Sequence, residues 1–235
     1  MVTRLSDEVW WIELGGVNAY LVDDGGTLTL VDAGMPWHGG RVLDAVVDAE
    51  FALDDLDRVL VTHYDLDHVG GLARLDGLDL TIYAGRGDAP LVTGREAPPF
   101  SVPKGAFQRL VGPLVTPPET EVVPLVDGDE VGSFTAYETP GHTPGHVAYV
   151  SEELGLAALG DLVRESDGDL DTTPWVITDD TAAARESVAR LAADAPGFEI
   201  AAPGHGVPFE RGGRDRLAAL AARFGQVREP ARPPQ

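Results

Sequence analysis

Five times along this 235-residue chain a β-rich run stops at a turn that sets Asp or His beside glycine. The stretches are "LTLVDAG" (Asp32), "VLVTHYDLDHVGG" (His63, Asp65, Asp67, His68), "AYETPGHTPGH" (His142, His146), "LAALGD" (Asp161) and "EIAAPGHG" (His205). Short apolar runs bounded by turn residues read as buried strands. Glycine lets the backbone turn sharply where each strand ends and lets neighbouring loops approach closely. In α/β scaffolds such loops gather functional side chains onto one rim.

The remaining pattern fits a layered domain. "VWWIEL", "NAYLVDD" and "GTLTLVDAG" are strands separated by Gly-containing turns, and "GGRVLDAVVDAEF" places Val42, Leu43, Val46 and Val47 at helical spacing. "DRVLVTH" is a strand running into the His/Asp cluster, "HVGGLARL" starts the next helix, and "LTIYAG" is another strand. Strands resume at "EVVPLVD", "GSFTAYETP", "HVAYVSEE" and "GLAALGD"; helices over 181–193 and 214–224 flank a strand in "FEIAAPGHG". Residues 85–119 are crowded with Pro and Gly and show no sustained periodicity, which suits a lid or a packed loop, and the stretch "VRESDGDLDTTPWVITDD" after Asp161 is read as loop as well. The expectation is one domain over residues 1–225 and a flexible tail over 226–235.

Charge narrows the partners. Asp and Glu number 39 against 17 basic residues, a net charge of −22, and Lys104 is the sole lysine. Such a surface repels phosphate backbones and anionic lipid, so nucleic acid and membrane are not expected partners; a small molecule is. The excess acid is read mainly as a solvated face, and with lysine avoidance it resembles proteins of halophilic archaea. With no cysteine in the chain, disulfides, thiolate zinc sites and cysteine nucleophiles are excluded. "MVTRLSDEVWWIEL" is too acidic and too briefly apolar for a signal peptide, and a cytoplasmic location is expected, as monomer or homodimer.

Brought to one rim, His63, Asp65, Asp67, His68, His142, Asp161 and His205 supply six or seven nitrogen and oxygen ligands, enough for two divalent metals. In this order the motifs resemble those of the metallo-β-lactamase superfamily, in a His-x-Asp-x-Asp-His variant closest in kind to its glyoxalase II-like branch. The resemblance implies an α/β fold, an αββα four-layer sandwich of two mixed β-sheets flanked by helices. It implies that His63, Asp65 and His142 hold one metal, that Asp67, His68 and His205 hold a second, and that Asp161 bridges them. Zinc is the expected ion. Asp65 stands where the commonest family pattern has histidine, and its harder, charged oxygen favours Mn or Fe. Asp32 is expected to hold the His63 loop by hydrogen bonds, and His146 to support the ligands or serve structure alone. His38 is expected to be exposed. Tyr64, Trp37, Phe100, Phe107 and Trp175 are candidates for lining a substrate pocket or for ordinary packing, while Lys104 and Arg109 read as surface charges.

The activity implied is a metallo-hydrolase in which a metal-bridging hydroxide, oriented by Asp67, attacks a small ester, thioester, lactone, lactam or phosphoester. A Gly-x-Ser-x-Gly nucleophile elbow is absent. The alternative is a redox enzyme of the flavodiiron or persulfide dioxygenase kind, since flavodiiron proteins carry a carboxylate at the place of Asp65. A metal-binding relic and an RNA-cleaving nuclease rank below both.

Overall fold

The computed structural model describes residues 1–98 and 103–226. Phe100 and residues 227–235 of the expected tail lie outside the described residues, as does the side chain of Phe107.

Among the described residues the chain builds one sheet from its first half and another from its second. The first sheet runs in sequence order: β1 (Val2–Arg4), β2 (Val9–Glu13), β3 (Asn18–Asp24), β4 (Thr27–Val31), β5 (Leu56–Val61), β6 (Thr81–Gly85) and β7 (Val122–Leu125). β1 to β4 are joined as antiparallel neighbours, and β4 to β7 are parallel. The second half supplies β8 (Glu130–Val131), β9 (Phe134–Glu138), β10 (Val147–Ser151) and β11 (Leu156–Gly160), then a hairpin of β12 (Val163–Ser166) and β13 (Asp169–Thr172), then β14 (Ile200–Pro203). The second sheet has the order β14-β11-β10-β9-β8, and its β11–β14 pair is parallel. Both sheets are mixed, as expected.

Period-2 alternation divides the apolar residues among three interfaces. On β3, Ala19 and Leu21 face outward to α1 (Gly39–Asp48), which buries Val42, Ala45 and Val46, whereas Tyr20 and Val22 face the second sheet. On β10, Val147 and Tyr149 face the first sheet, and Ala148 and Val150 face outward. That outer face meets α5 (Thr181–Asp194) through Val188 and Leu191, and α6 (Gly213–Gln226) through Leu217 and Leu220. Four layers result, helix–sheet–sheet–helix, because each sheet buries both faces. α5 starts where Asp180 Oδ1 accepts hydrogen bonds from the amides of Ala182 (2.9 Å) and Ala183 (3.0 Å).

Three expectations are corrected. "HVGGLARL" does not begin a continuous helix: a single turn, α2 (Leu66–Val69), gives way to a 3₁₀ turn over Leu72–Leu75. The helix ends where Gly71 N–H donates to the Gly34 carbonyl (3.1 Å) instead of continuing the helical ladder, and Gly70 and Gly71 press so close to Pro36 and the Ala33 carbonyl that a β-carbon has no room. Residues 85–119 are not uniformly irregular, since they form α3 (Ala89–Val92) and α4 (Pro103–Val111). Proline at the first position of α4 costs no hydrogen bond, so its presence there does not oppose a helix. Finally, the stretch after Asp161, read as loop, contains the β12–β13 hairpin, turned by Asp167 and Gly168 at φ 53° and 83°.

Candidate metal centre

The candidate residues meet at the seam where both sheets end. β4 ends at Asp32, held at φ 57°, and β5 runs through Thr62 into His63. Asp65 immediately precedes α2, which carries Asp67 and His68. From the second sheet come His142 in the turn after β9, Asp161 after β11 and His205 after β14. The sheets are tied beside the site: Tyr149 Oη donates to the Val61 carbonyl (2.9 Å), Val147 N–H to that of Thr62 (2.8 Å), and Tyr20 Oη to that of Pro203 (2.7 Å).

Asp32 organises one side. Its carboxylate accepts from Thr62 N–H (2.8 Å), the Thr62 hydroxyl (2.7 Å) and His68 Nδ1 (2.8 Å). Because the Thr62 proton goes to Asp32, the 3.0 Å contact between Thr62 Oγ1 and His63 Nδ1 makes His63 the donor. His205 Nδ1 likewise donates to the Gly16 carbonyl at 2.6 Å. In all three rings the outer nitrogen is occupied, and Nε2 is left to face inward with a lone pair, as a metal-binding histidine requires.

The inward atoms converge on Asp161. Its Oδ1 lies 3.5 Å from His68 Nε2, and its Oδ2 lies 3.4 Å from His142 Nε2 and 3.3 Å from His205 Nε2. Asp67 Oδ2 is 3.5 Å from His205 Nε2 and 4.0 Å from His68 Nε2. Two triads emerge, His63–His142–Asp161 and Asp67–His68–His205, with the ligand atoms of each within 4.8 Å of one another. His63 Nε2, His68 Nε2, Asp65 Oδ1 and Asp161 Oδ1 are buried and have no hydrogen-bond partner. Unpaired buried polar atoms are costly, and so many aimed at one point fit a cation.

Electrostatics agree. Burial opposes charge on His68, yet Asp32, Asp161 and Asp67 outweigh it and raise its pKa to about 9. The same contest, with Asp161 and Asp67 prevailing over burial, takes His205 up to about 11. Against burial, His68 and His142 hold Asp161 well below the usual carboxylate range, and Lys104 and His63 do the same for Asp65. Burial, aided by His68, brings His63 down to about 4. The carboxylates thus draw positive charge to the point where the lone pairs meet.

Asp65 is the residue that departs from the expected pattern. Its Oδ2 is near His63 Nε2 (3.5 Å) and His142 Nε2 (3.0 Å), but it also receives Lys104 Nζ at 2.8 Å. Lys104 is 5% exposed and is not the surface charge expected; α4 carries it inward, where it also donates to the His142 carbonyl at 2.8 Å. Arg109 is exposed and donates to the Pro98 carbonyl. His38, expected to be exposed, is 6% exposed and accepts from Met35 N–H. His146 is buried behind His63, with Nδ1 against Thr139 Oγ1 at 2.8 Å. A residue not foreseen, Asp88, accepts from Tyr64 N–H, Gly145 N–H and the Thr143 hydroxyl, fastening the His63 and His142 loops together.

A cavity of about 330 Å³ opens over the centre, lined by Asp65, Asp67, Lys104, His142, Asp161 and His205, with Met35, Leu66, Val176 and Ile177 as apolar walls and Gln108 at one side. Tyr64 lies apart from it, in a neighbouring cavity shared with Leu66 and Gln108. Trp175 is 75% exposed beside Val176 and lines neither cavity, and Trp37 is exposed.

The chain belongs to the metallo-β-lactamase superfamily, whose model matches residues 12–205, and the fold and the converging His and Asp side chains agree with that. Among its relatives is a probable metallo-hydrolase of Bacillus subtilis (strain 168), YflN, 28% identical over 228 residues, or 86% of this chain and 84% of that protein. A hydroxyacylglutathione hydrolase of Aliivibrio fischeri (strain MJ11) is 29% identical over 156 residues, 65% of this chain but 46% of that enzyme. A solved structure, TTHA1623 in a di-iron-bound form, superposes with a TM-score of 0.66 at 29% identity and covers 88% of this chain and 92% of that one. Among the described residues no helix is long and apolar enough to cross a membrane.

Proposed function

We propose that the chain is a metal-dependent hydrolase of a small ester, thioester, lactone or phosphoester, with two divalent ions, zinc in the first place, held by His63, His142 and Asp161 and by Asp67, His68 and His205. One observation carries the reading: the buried Asp161, a member of the first histidine–carboxylate triad, also lies 3.5 Å and 3.3 Å from the His68 and His205 Nε2 atoms of the second. When bound, such ions supply Lewis acidity and a water that ionises near neutral pH. The chain's own part is to hold the imidazoles in the right tautomer through Asp32, Thr62 and the Gly16 carbonyl, and to offer Asp67, which is partly open to the cavity, as an acceptor that orients the nucleophilic water. Met35, Leu66, Val176 and Ile177 exclude water from one side and suit a substrate with an apolar portion. No serine or cysteine nucleophile is required.

A second reading keeps the iron-based redox alternative, because a di-iron form is recorded for TTHA1623 and Asp65 brings a hard oxygen ligand. Elemental mass spectrometry on protein purified without chelator or nickel resin separates the two. About two zinc or manganese ions per chain, with hydrolysis of an ester, lactone, thioester or phosphoester panel in high salt, is the expected result. Two irons with oxygen consumption would favour the redox reading, and no bound metal after reconstitution would refute both.

A further inference from the structure

The sole lysine of a chain with 39 acidic residues points into the metal pocket. Lys104 Nζ contacts the same oxygen, Asp65 Oδ2, that lies nearest His63 Nε2 and His142 Nε2, and it is fixed from a second side by the His142 carbonyl and stands 5.9 Å from the centre of the Tyr64 ring. A cation seated among His63, His142 and Asp161 meets an ammonium already bound to the carboxylate that should complete its ligand set. Two positive charges cannot share one carboxylate oxygen at contact distance without strong repulsion. Asp65 stands beside the first triad, its Oδ2 3.5 Å from His63 Nε2 and 3.0 Å from His142 Nε2, and is not part of the triad built on Asp67, His68 and His205.

We infer that Lys104 is a resident competitor for the first metal position: paired with Asp65, it weakens that position and makes the Asp67–His68–His205 position fill first. The competition is reciprocal, so filling the first position separates Lys104 from Asp65. The aspartate that stands in place of the usual histidine brings a negative charge, and Lys104 is the cation that meets it. The inference rests on the metal reading of the site, and it concerns the order and strength of loading rather than the reaction.

The test is a zinc titration of the full-length, metal-stripped protein in competition with a chromophoric chelator, which resolves the two stepwise affinities without any substrate. Lys104→Met keeps the apolar stem and removes the charge; it should tighten the weaker step by about tenfold or more and leave the tighter step unchanged. Lys104→Arg should stay near wild type in both steps, which also shows that disturbance of α4 is not the cause. In an Asp65→Asn background, Lys104→Met should bring no further gain, since the shared oxygen charge is gone. An unchanged or weakened second step in Lys104→Met, with native circular dichroism, would overturn the inference while leaving the metal centre intact. Failure of wild type and variant alike to bind zinc at either step would overturn the metal reading and the inference with it.

Discussion

Gly204 offers a way to disturb the candidate centre without replacing any of its His or Asp residues. A β-carbon built on it lands 2.7 Å from His68 Cε1 and nearer still to Asp161 Oδ1. An ordinary carbon contact begins at about 3.5 Å, so His68 must retreat by roughly 0.8 Å and Asp161 by more. Neither has space: both are buried, Asp161 is ringed by three imidazoles, and His68 is pinned by Asp32. Gly204 has no left-handed φ, so alanine suits the backbone and the effect is steric alone. Overpacking of this kind costs about 1–3 kcal/mol of stability. A misplacement of roughly 1 Å in a preorganised site can cost about 100-fold in its function. Gly204→Ala should therefore remain folded at 25 °C, melt a few degrees lower, and bind zinc far more weakly than wild type in a competitive titration. Gly197→Ala, where a β-carbon meets nothing within 4 Å, is the control and should leave metal affinity unchanged. If Gly204→Ala bound zinc with wild-type strength at both steps, the placement of Asp161 between the two triads would be refuted.

Chelation should lower the melting temperature and added zinc restore it. Ion at a hundredfold its dissociation constant adds about 2.7 kcal/mol, or roughly 5–10 °C for a chain of this size, as read by calorimetry. Asp180→Ala removes the cap of α5 and should cost about 1 kcal/mol in urea unfolding without altering zinc affinity. Asp88 titrates high, its carboxyl pushed up to about 6 by burial despite three hydrogen bonds. A carboxyl that holds its proton more tightly when folded favours the native state below its unfolded pKa, and the benefit fades as pH rises through about 6. The stability difference between wild type and Asp88→Asn, measured by urea unfolding of metal-free protein, should accordingly shift against wild type between pH 4 and 6; a flat difference would contradict the raised pKa.

The strands and the convergence of their terminal His and Asp residues were both legible because one pattern encodes them: short continuous apolar runs ended by a Gly-containing turn, with His or Asp at the end. The two late helices, expected over 181–193 and 214–224, were equally plain and became α5 and α6. Lys104 was misread because its direction depends on how α4 docks, and the Pro- and Gly-rich stretch around α4 has no periodicity from which to predict docking. Its status as the chain's single lysine was the available hint. The β12–β13 hairpin carried a readable signal, the dipeptide Asp167–Gly168, which favours a tight two-residue hairpin turn. Helical spacing alone did not reveal the break at Gly70 and Gly71, because Gly71 N–H is drawn to the Gly34 carbonyl, a partner distant in sequence. His38 was judged by its place just ahead of a helix, whereas it is buried and accepts a local bond from Met35 N–H.

The division of the chain into one sheet per half has a genetic corollary. A cut in the Asp127–Gly128 turn, between β7 and β8, would leave His63, Asp65, Asp67 and His68 on one polypeptide and His142, Asp161 and His205 on the other. Each piece would own half a clasp and one uncovered apolar face. Reassembly of two such fragments would then become ion-dependent, with the metal acting as the pin that couples two separately encoded leaves.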